Sequence, residues 1–476
     1  MSFAGLDYYL FLFSVYLLFR CLSKRGELRH LMLVVASLLF YSLGSGWHLV
    51  LLLYSSIADH FVALKIQKNH DQSKSVRFWM WLSIVNNLSL LAFFKYLGPI
   101  LSTLSNPWTN FGLGELPQLD LLLPIGISFY TFQTLSYTLD VSYKRIKART
   151  KLLDTLTYVC FFPQLVAGPI LRASHFLPQM KKAFTFDAKL FQHGLFFILL
   201  GLIKKVVIAD TLGIYLVDPI YHPNAEVGTL PLVLGTFAYA FQVYNDFSGY
   251  SDIAIGSALI LGFKVPINFD RPFSCNNPVD FWNRWHISLS HWVRDYLFYP
   301  MMMKGGWLKG RVQLNIFITT LIIGIWHGAN LTFLLFGLLH ALLAVGHRSM
   351  SRPLNFLKLK MGPLWTPLSW VIYWSLLNLG MLFFRAEDLN HIKHLLSQIF
   401  IDSQLSFLSG PILLWAAATL AILTHLPRAE SWEKLAQCYA KSPLWLQVFF
   451  TWITISCLYL ASHYHQGRAA FIYFRF

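Results

Sequence analysis

Charge is what this sequence has least of. Aspartate, glutamate, lysine and arginine together make up 13% of its 476 residues, about half the share found in soluble globular domains. A surface that poor in charge cannot face water over most of its extent, so an ordinary soluble fold is excluded. Cysteine is scarce as well. Cys21, Cys160, Cys275, Cys438 and Cys457 form no C-x-x-C pair, which argues against a zinc ribbon and a thioredoxin-like centre. There is no P-loop, no dinucleotide-binding fingerprint and no G-x-S-x-G nucleophile elbow. No fixed internal period marks a repeat protein. The first apolar stretch lacks a preceding basic region, so a cleaved signal peptide is not expected and that stretch is read as a retained span.

What the chain has in abundance is apolar and aromatic residues, 56% hydrophobic and 17% aromatic. A membrane helix needs about 20 mostly apolar residues. Windows of this kind recur along the whole chain, from Leu6–Leu22, Leu31–Gly44 and Trp47–Lys65 to Pro411–Leu426 and Leu444–Ser462. The expected architecture is all-α: a polytopic transmembrane bundle of about 11 spans with re-entrant or interfacial helices, forming one integral-membrane domain over residues 1–476. The formal net charge of +16 would suggest nucleic acid in a soluble protein. Here the basic residues fall between apolar segments, so no nucleic-acid partner is expected. Lys24, Arg25 and Arg29 follow the first window, Lys65 to Arg77 the third, and Lys144 to Lys151 the fifth, whereas the loops near Gly44 and from Gly98 to Asp120 carry no lysine or arginine. By the positive-inside rule the basic loops face the cytoplasm and the amino terminus faces outside.

Four segments stand out chemically. In NPVDFWNRWHISLSHWVRDYLFYP, Asn277 suits an N-cap, Pro278 the first helical position and Asp280 the positive end of the dipole. An amphipathic helix is expected to continue to Tyr296, with Phe281, Trp282, Trp285, Leu289 and Trp292 on one face, Asn283, Arg284, Ser290, His291 and Arg294 on the other, and His286 at the border. His286 is either a site residue or an interfacial histidine whose ring snorkels. The apolar run 314–347 would measure about 50 Å as one helix against a hydrocarbon core of about 30 Å. It must break or tilt, and Gly328–Asn330 supplies the break, directly after His327. An ionisable residue at that depth marks a functional site, the plain alternative being a neutral histidine bonded to a neighbouring helix. His340 lies in the same run. In YNDFSGYSDIAIG, Asp246 and Asp252 bracket a polar patch between two apolar windows, and Ser251 or Asp252 could cap the second. In FPQLVAGPILR, two prolines and a glycine break an apolar helix, as happens where backbone lines a cavity. His463 and His465 resemble half a metal site but lack convergent acids or thiols, and no metal is expected.

Together with LPIGISFYTFQTLSYTLDV (Leu123–Val141), FFPQLVAGPILRASHFLPQM (Phe161–Met180) and the terminal FIYFRF, the strings DFSGYSDIAIG, DFWNRWHISLSHWVRDYLFYP and WHGAN resemble the membrane-bound O-acyltransferase family. The likeness is greatest to its bacterial alginate O-acetyltransferase branch. The D-alanyl transferase branch shares FWNRWH and WHG. After YLFYP, MMMKGGWLKG replaces the Gly-rich stretch of the alginate branch, which leaves the glycan open. The resemblance implies helices around a central funnel, His327 as the catalytic histidine deep within it and His286 as the second family histidine. It implies an acyl thioester donor from the cytoplasm, acetyl-CoA in this branch, and no tightly bound cofactor. It also implies an extracytoplasmic polysaccharide acceptor, reached through an acetyltransferase or esterase-like partner, and a bacterial inner-membrane location. Trp285 and Asn330 are candidate oxyanion donors. Arg284 and Arg294 are candidate ligands for the donor's phosphates, the alternative being that they only fix topology or contact anionic membrane lipid, and Asp246 is a further candidate substrate contact. The alternative in a different functional class is a secondary transporter or flippase, which would share broken helices and buried ionisable groups.

Overall fold

The computed structural model describes residues 3–476 apart from 112–114, 118, 120, 304, 466–470 and 472–476. Lys304, the Asp120 end of the uncharged loop and all but Phe471 of the terminal string thus lie outside the described residues. Among the described residues the regular structure is entirely helical. The chain divides into two compact units, residues 1–198, 250–266 and 439–441 in one, and 199–249, 267–438 and 442–476 in the other.

The first unit begins with α1 (Leu6–Cys21), α2 (Gly26–Ser45), α3 (Leu49–Lys68), α4 (Ser73–Asn110) and α5 (Ile127–Ser142). A lipid solvent gives helices no hydrophobic reason to associate, so small and polar residues must hold them together. They do so here around Asp59, whose carboxylate accepts from Ser83 Oγ at 2.7 Å and Asn87 Nδ2 at 2.8 Å. Thr134 and Ser55 close the network by donating to Asn87 Oδ1, which ties α3, α4 and α5 together. The expected break in FPQLVAGPILR is present: a helix at Phe162–Leu165 gives way to irregular backbone before the next helix begins at Ala173.

The second unit carries the candidate chemistry. The helix α6 (Ala188–Leu202) begins in the first unit and runs on in the second through π-helical turns at Ile203–Ala209 and Gly213–Val217, a distortion often found at functional sites. The polar patch at 244–256 corrects one expectation. It does not separate two helices but lies inside α7 (Thr229–Ile260), so neither Ser251 nor Asp252 is a cap. Gly249 is there for close approach: a Cβ on it would stand 2.7 Å from the Gly201 carbonyl and 3.0 Å from the Lys205 nitrogen. The amphipathic helix begins as expected, with Asn277 Oδ1 accepting from the Asp280 N–H at 2.9 Å. It then breaks, and α8 (Pro278–Arg284) and α9 (Ile287–Val293) are separate helices, the second continuing as a π-helical turn at Arg294–Phe298. The remaining long helices are α10 (Val312–His327), α11 (Leu331–Ser349), α12 (Trp365–Arg385), α13 (Ile412–His425) and α14 (Leu444–Tyr464).

By length and composition, five helical stretches among the described residues can cross a membrane: Gly26–Lys68, Ser73–Asn110, Leu331–Ser349, Ser351–Arg385 and Leu444–Tyr464. The pair Ile412–His425 and Ala429–Lys441, bent by 100°, is a candidate sixth, and Val312–His327 is a shorter apolar helix. The first stretch is 43 residues long, about 65 Å as one straight helix. It is interrupted at Gly46, whose φ of 57° is left-handed, and so contains two of the apolar windows. Trp445, Phe449 and Trp452 on α14 and Leu6, Leu10 and Phe13 on α1 are exposed, as a lipid-facing surface requires.

Candidate active site

The hairpin of α10 and α11 is set by two glycines. Gly324 and Gly337 face each other so closely that a Cβ on Gly324 would stand 2.4 Å from the Gly337 Cα. The turn between the helices is Gly328–Asn330, where the sequence placed the break. Asn330 caps α11 by accepting from the Thr332 N–H at 3.2 Å, and its amide also donates to the Glu387 carbonyl. Both ends of Asn330 therefore hold the turn, and its expected role as an oxyanion donor has no geometric support.

His327 is the last residue of α10 and is buried. Its Nδ1 lies 2.7 Å from the carbonyl of Ile323, one turn back. A carbonyl can only accept, so Nδ1 carries the proton and Nε2 is the basic nitrogen. The rings of Trp326, Phe333, Phe336 and Phe384 surround the imidazole at 4.8 to 6.5 Å between centroids. This cage fixes the ring and keeps the surroundings apolar.

His286 is placed by a different device. It sits in the break between α8 and α9 with φ 43° and ψ 54°, a left-handed conformation that costs a non-glycine residue on the order of 1–2 kcal/mol. Asn268, in the irregular segment before α8, holds the turn. Its Oδ1 accepts from the Ser288 N–H at 3.1 Å, from Ser288 Oγ at 2.9 Å and from His286 Nδ1 at 3.2 Å, and its own carbonyl accepts from the Ile287 N–H. The backbone donor fixes which end of the amide is oxygen, and this in turn makes His286 Nδ1 the protonated nitrogen. The Phe247 ring meets the His286 ring edge-on at 4.7 Å. Trp326 lies 6.4 Å from His286 and 4.8 Å from His327, so one indole neighbours both imidazoles.

The irregular segment is itself held firmly. The Phe273 carbonyl accepts from both Trp370 and Trp374, its N–H donates to His425 Nε2, and Asp270 Oδ1 accepts from the Ala429 N–H. Trp285 packs into this layer against Phe269, Phe273 and Phe281, as part of an aromatic core that supports His286.

A cavity of about 750 Å³ is lined by α8, α9, the turn after α9, α10 and α11. Along α10 its wall includes Ile316, Thr319, Thr320 and Ile323. His327 follows Thr319 and Ile323 at i+4 spacing and so continues this face. The cavity's polar side is basic. Arg294, His291, His347 and Arg348 all line it, with Trp282, Asn283 and Ser290. In the register set by Gly324 and Gly337, Gln313 falls level with Arg348. From there to His327 is about 21 Å along α10. The structure brings Arg294 to this cavity, where its guanidinium also meets Asp295 at 2.8 Å. Arg284 does not line it and pairs with Asp280 at 2.7 Å. Asp246 is buried in an ion triad: Lys205 Nζ lies 2.5 Å from Asp246 and 2.7 Å from Asp210. The neighbouring Phe247, rather than Asp246, meets His286. Among the described residues there is no group of metal-ligating side chains. His465 instead pairs with Thr211 at 2.9 Å.

Comparison with known proteins places this arrangement. The family model for membrane-bound O-acyltransferases matches residues 35–384, a stretch that includes both histidines. The chain belongs to the membrane-bound O-acyltransferase family. It is 34% identical over 426 residues to the "Probable alginate O-acetylase AlgI" of Pseudomonas putida, covering 88% of this chain and 85% of the relative. It is 35% identical over 405 residues to the peptidoglycan O-acetyltransferase of Helicobacter pylori, covering 79% and 75%. A teichoic acid D-alanyltransferase of Bacillus subtilis is 31% identical over 286 residues, 58% of this chain and 72% of the relative. Membership makes the chain a multi-pass membrane enzyme that transfers acyl groups to oxygen, and the transporter reading falls away.

The contacts of Asn268 and Phe247 with His286, the place of Arg348 in the cavity lining and the pairing of Asp246 with Lys205 were not legible in the sequence. Each acts at a place set by the tertiary fold, and neither periodicity nor a local motif marks them.

Proposed function

We propose that this enzyme takes an acetyl group from acetyl-CoA on the cytoplasmic side of a bacterial inner membrane and delivers it toward a hydroxyl of an extracytoplasmic polysaccharide, with His327 as general base. One observation carries the reading: the Ile323 carbonyl holds His327 in the tautomer whose Nε2 is basic, on the α10 face that lines a cavity with a basic rim. The phosphates of coenzyme A sit at Arg294 and Arg348, since arginine binds phosphate through paired, charge-assisted hydrogen bonds. The distance of about 21 Å along α10 is of the order of an extended pantetheine arm, which brings the thioester to His327. Lys309 and Arg311 just before α10, and Arg348 and Arg352 at and beyond the end of α11, support a cytoplasmic position for this end by the positive-inside rule.

A hydroxyl is a weak nucleophile at neutral pH. Nε2 of His327 takes its proton as the oxygen attacks the thioester carbonyl. The C–O bond forms, the C–S bond breaks, and the proton passes from His327 to the departing thiolate. His286, held by Asn268, stands behind Trp326 as a second imidazole that orients the acceptor. The acceptor is either the sugar or a hydroxyl on an extracytoplasmic esterase-like partner. The three relatives are named for acylating alginate, peptidoglycan or teichoic acid, which supports a polymer as the final acceptor.

Proteoliposomes test the sidedness. Acetyl-CoA labelled in the acetyl group, supplied only to the face bearing Lys144–Lys151, should release coenzyme A thiol and deliver label to an acceptor on the opposite face. Delivery only when donor and acceptor share a face would overturn the reading.

A further inference from the structure

We propose that Trp282 and His340 form an amide-recognition subsite for the pantetheine arm of the donor. The proposal rests on the reading that the donor is a pantetheine thioester entering the 750 Å³ cavity. Trp282 lines that cavity, as do Arg294 and Ile323. His340 stands directly behind it on α11, the two rings edge-on at 5.4 Å. His340 is 1% exposed. Phe281 stacks on it at 5.8 Å and Phe336 lies 4.5 Å away.

Among the described residues, neither His340 nitrogen nor Trp282 Nε1 has a hydrogen-bond partner. A buried polar atom left in that state costs about 1–3 kcal/mol, and native proteins leave few of them without a reason. Here three such atoms occur on two touching rings, one of which lines a cavity. Their chemistry is specific. The indole offers one donor, and a neutral imidazole offers one donor and one acceptor. A secondary amide, with its carbonyl and N–H, complements that set. A phosphate needs cations instead, and a bare alkyl chain needs nothing polar.

The position fits as well. Phe336 touches both His340 and, at 5.6 Å, His327. An amide held at Trp282 and His340 therefore leaves the reactive end of the arm one ring away from the base. In this role the two residues select the donor: a thioester whose arm carries amides binds, while an amide-free thioester leaves the buried polar atoms unmet. Sites built to hydrogen-bond a substrate reject analogues lacking the group more strongly than apolar pockets do.

The test uses the full-length protein in nanodiscs and kcat/KM for three donors: acetyl-CoA, S-acetylpantetheine and an amide-free alkyl thioacetate of similar length. The wild type should prefer S-acetylpantetheine to the alkyl thioester. His340→Phe and Trp282→Phe should each lower kcat/KM for the amide-bearing donors about tenfold, an amount that corresponds to about 1.4 kcal/mol, and leave the alkyl thioester unchanged. His340→Gln, which keeps a donor and an acceptor, should restore most of the preference. An unchanged preference in both Phe variants would mean that an ordered water, rather than an amide, meets these atoms, and would overturn the proposal. An equal loss with all donors would reduce the pair to a structural role and overturn it too. If the wild type used no thioester at all, acetyl-CoA included, the donor reading itself would fall.

Discussion

The two histidines of this enzyme are both buried, both neighbour Trp326, and are held in opposite ways. His327 ends a regular helix and is fixed by a carbonyl four residues earlier in the same helix. His286 sits in a left-handed break and is fixed by an asparagine eighteen residues away, across an irregular segment. Support that is local in sequence needs only a helix to be reproduced. Support that is remote requires the whole surrounding layer, here Phe273, His425, Trp370 and Trp374. The first arrangement gives a robustly placed imidazole with a defined tautomer. The second puts backbone strain at a buried histidine, where the surrounding packing must hold it.

The largest effect should come from breaking the hairpin that carries His327. Gly324→Val puts side-chain atoms where the Gly337 backbone lies, and overpacking of this kind costs about 1–3 kcal/mol or more. We expect the variant to lose most folded protein, read by detergent-solubilised monodisperse yield. A normal yield and normal transfer would mean that the hairpin is looser than its glycines indicate.

The contrast with His286 is sharpened by removing its remote support. Asn268→Ala deletes the acceptor of three hydrogen bonds and should cost about 1–3 kcal/mol, seen as a transfer rate lowered roughly tenfold with His327 untouched. His286→Ala should also impair transfer. His286→Asn separates chemistry from shape, because asparagine tolerates left-handed backbone. If asparagine restores the rate lost in the alanine variant, His286 serves the turn. If both variants fail equally, the imidazole itself is needed.

The smallest effects belong to the cavity's basic rim. Arg294→Gln and Arg348→Gln should each raise KM for acetyl-CoA a few-fold, leave kcat nearly unchanged and weaken the salt dependence of KM. Arg284→Gln, whose partner is Asp280 outside the cavity lining, should do so less. Equal shifts in all three would mean that net charge, and not the cavity, sets donor affinity.

The same contrast explains what could be read from the sequence. The break at Gly328–Asn330 and the cap at Asn277 follow from local rules of helix capping, and the structure has both; His327, in its apolar run, is buried. Local rules also produced the errors. The pattern from Phe281 to Tyr296 reads as one amphipathic helix because nothing local marks a left-handed residue at His286. The polar patch at 244–256 reads as a gap between two helices because a glycine placed for close packing, Gly249, looks the same in sequence as one placed for a turn. Asp246 reads as a candidate substrate contact in a polar patch because its partner, Lys205, is brought to it by tertiary packing. Trp285 and Asn330 carried the right motifs, but their side chains are engaged in core packing and in holding the turn.

The most direct test is His327→Ala in nanodiscs, with donor binding and acetyl transfer measured on the same preparation. The account predicts unchanged affinity for acetyl-CoA and a transfer rate lowered by about 10²–10⁴, the usual contribution of a general base. Transfer at the wild-type rate in a folded, inserted His327→Ala protein would contradict it.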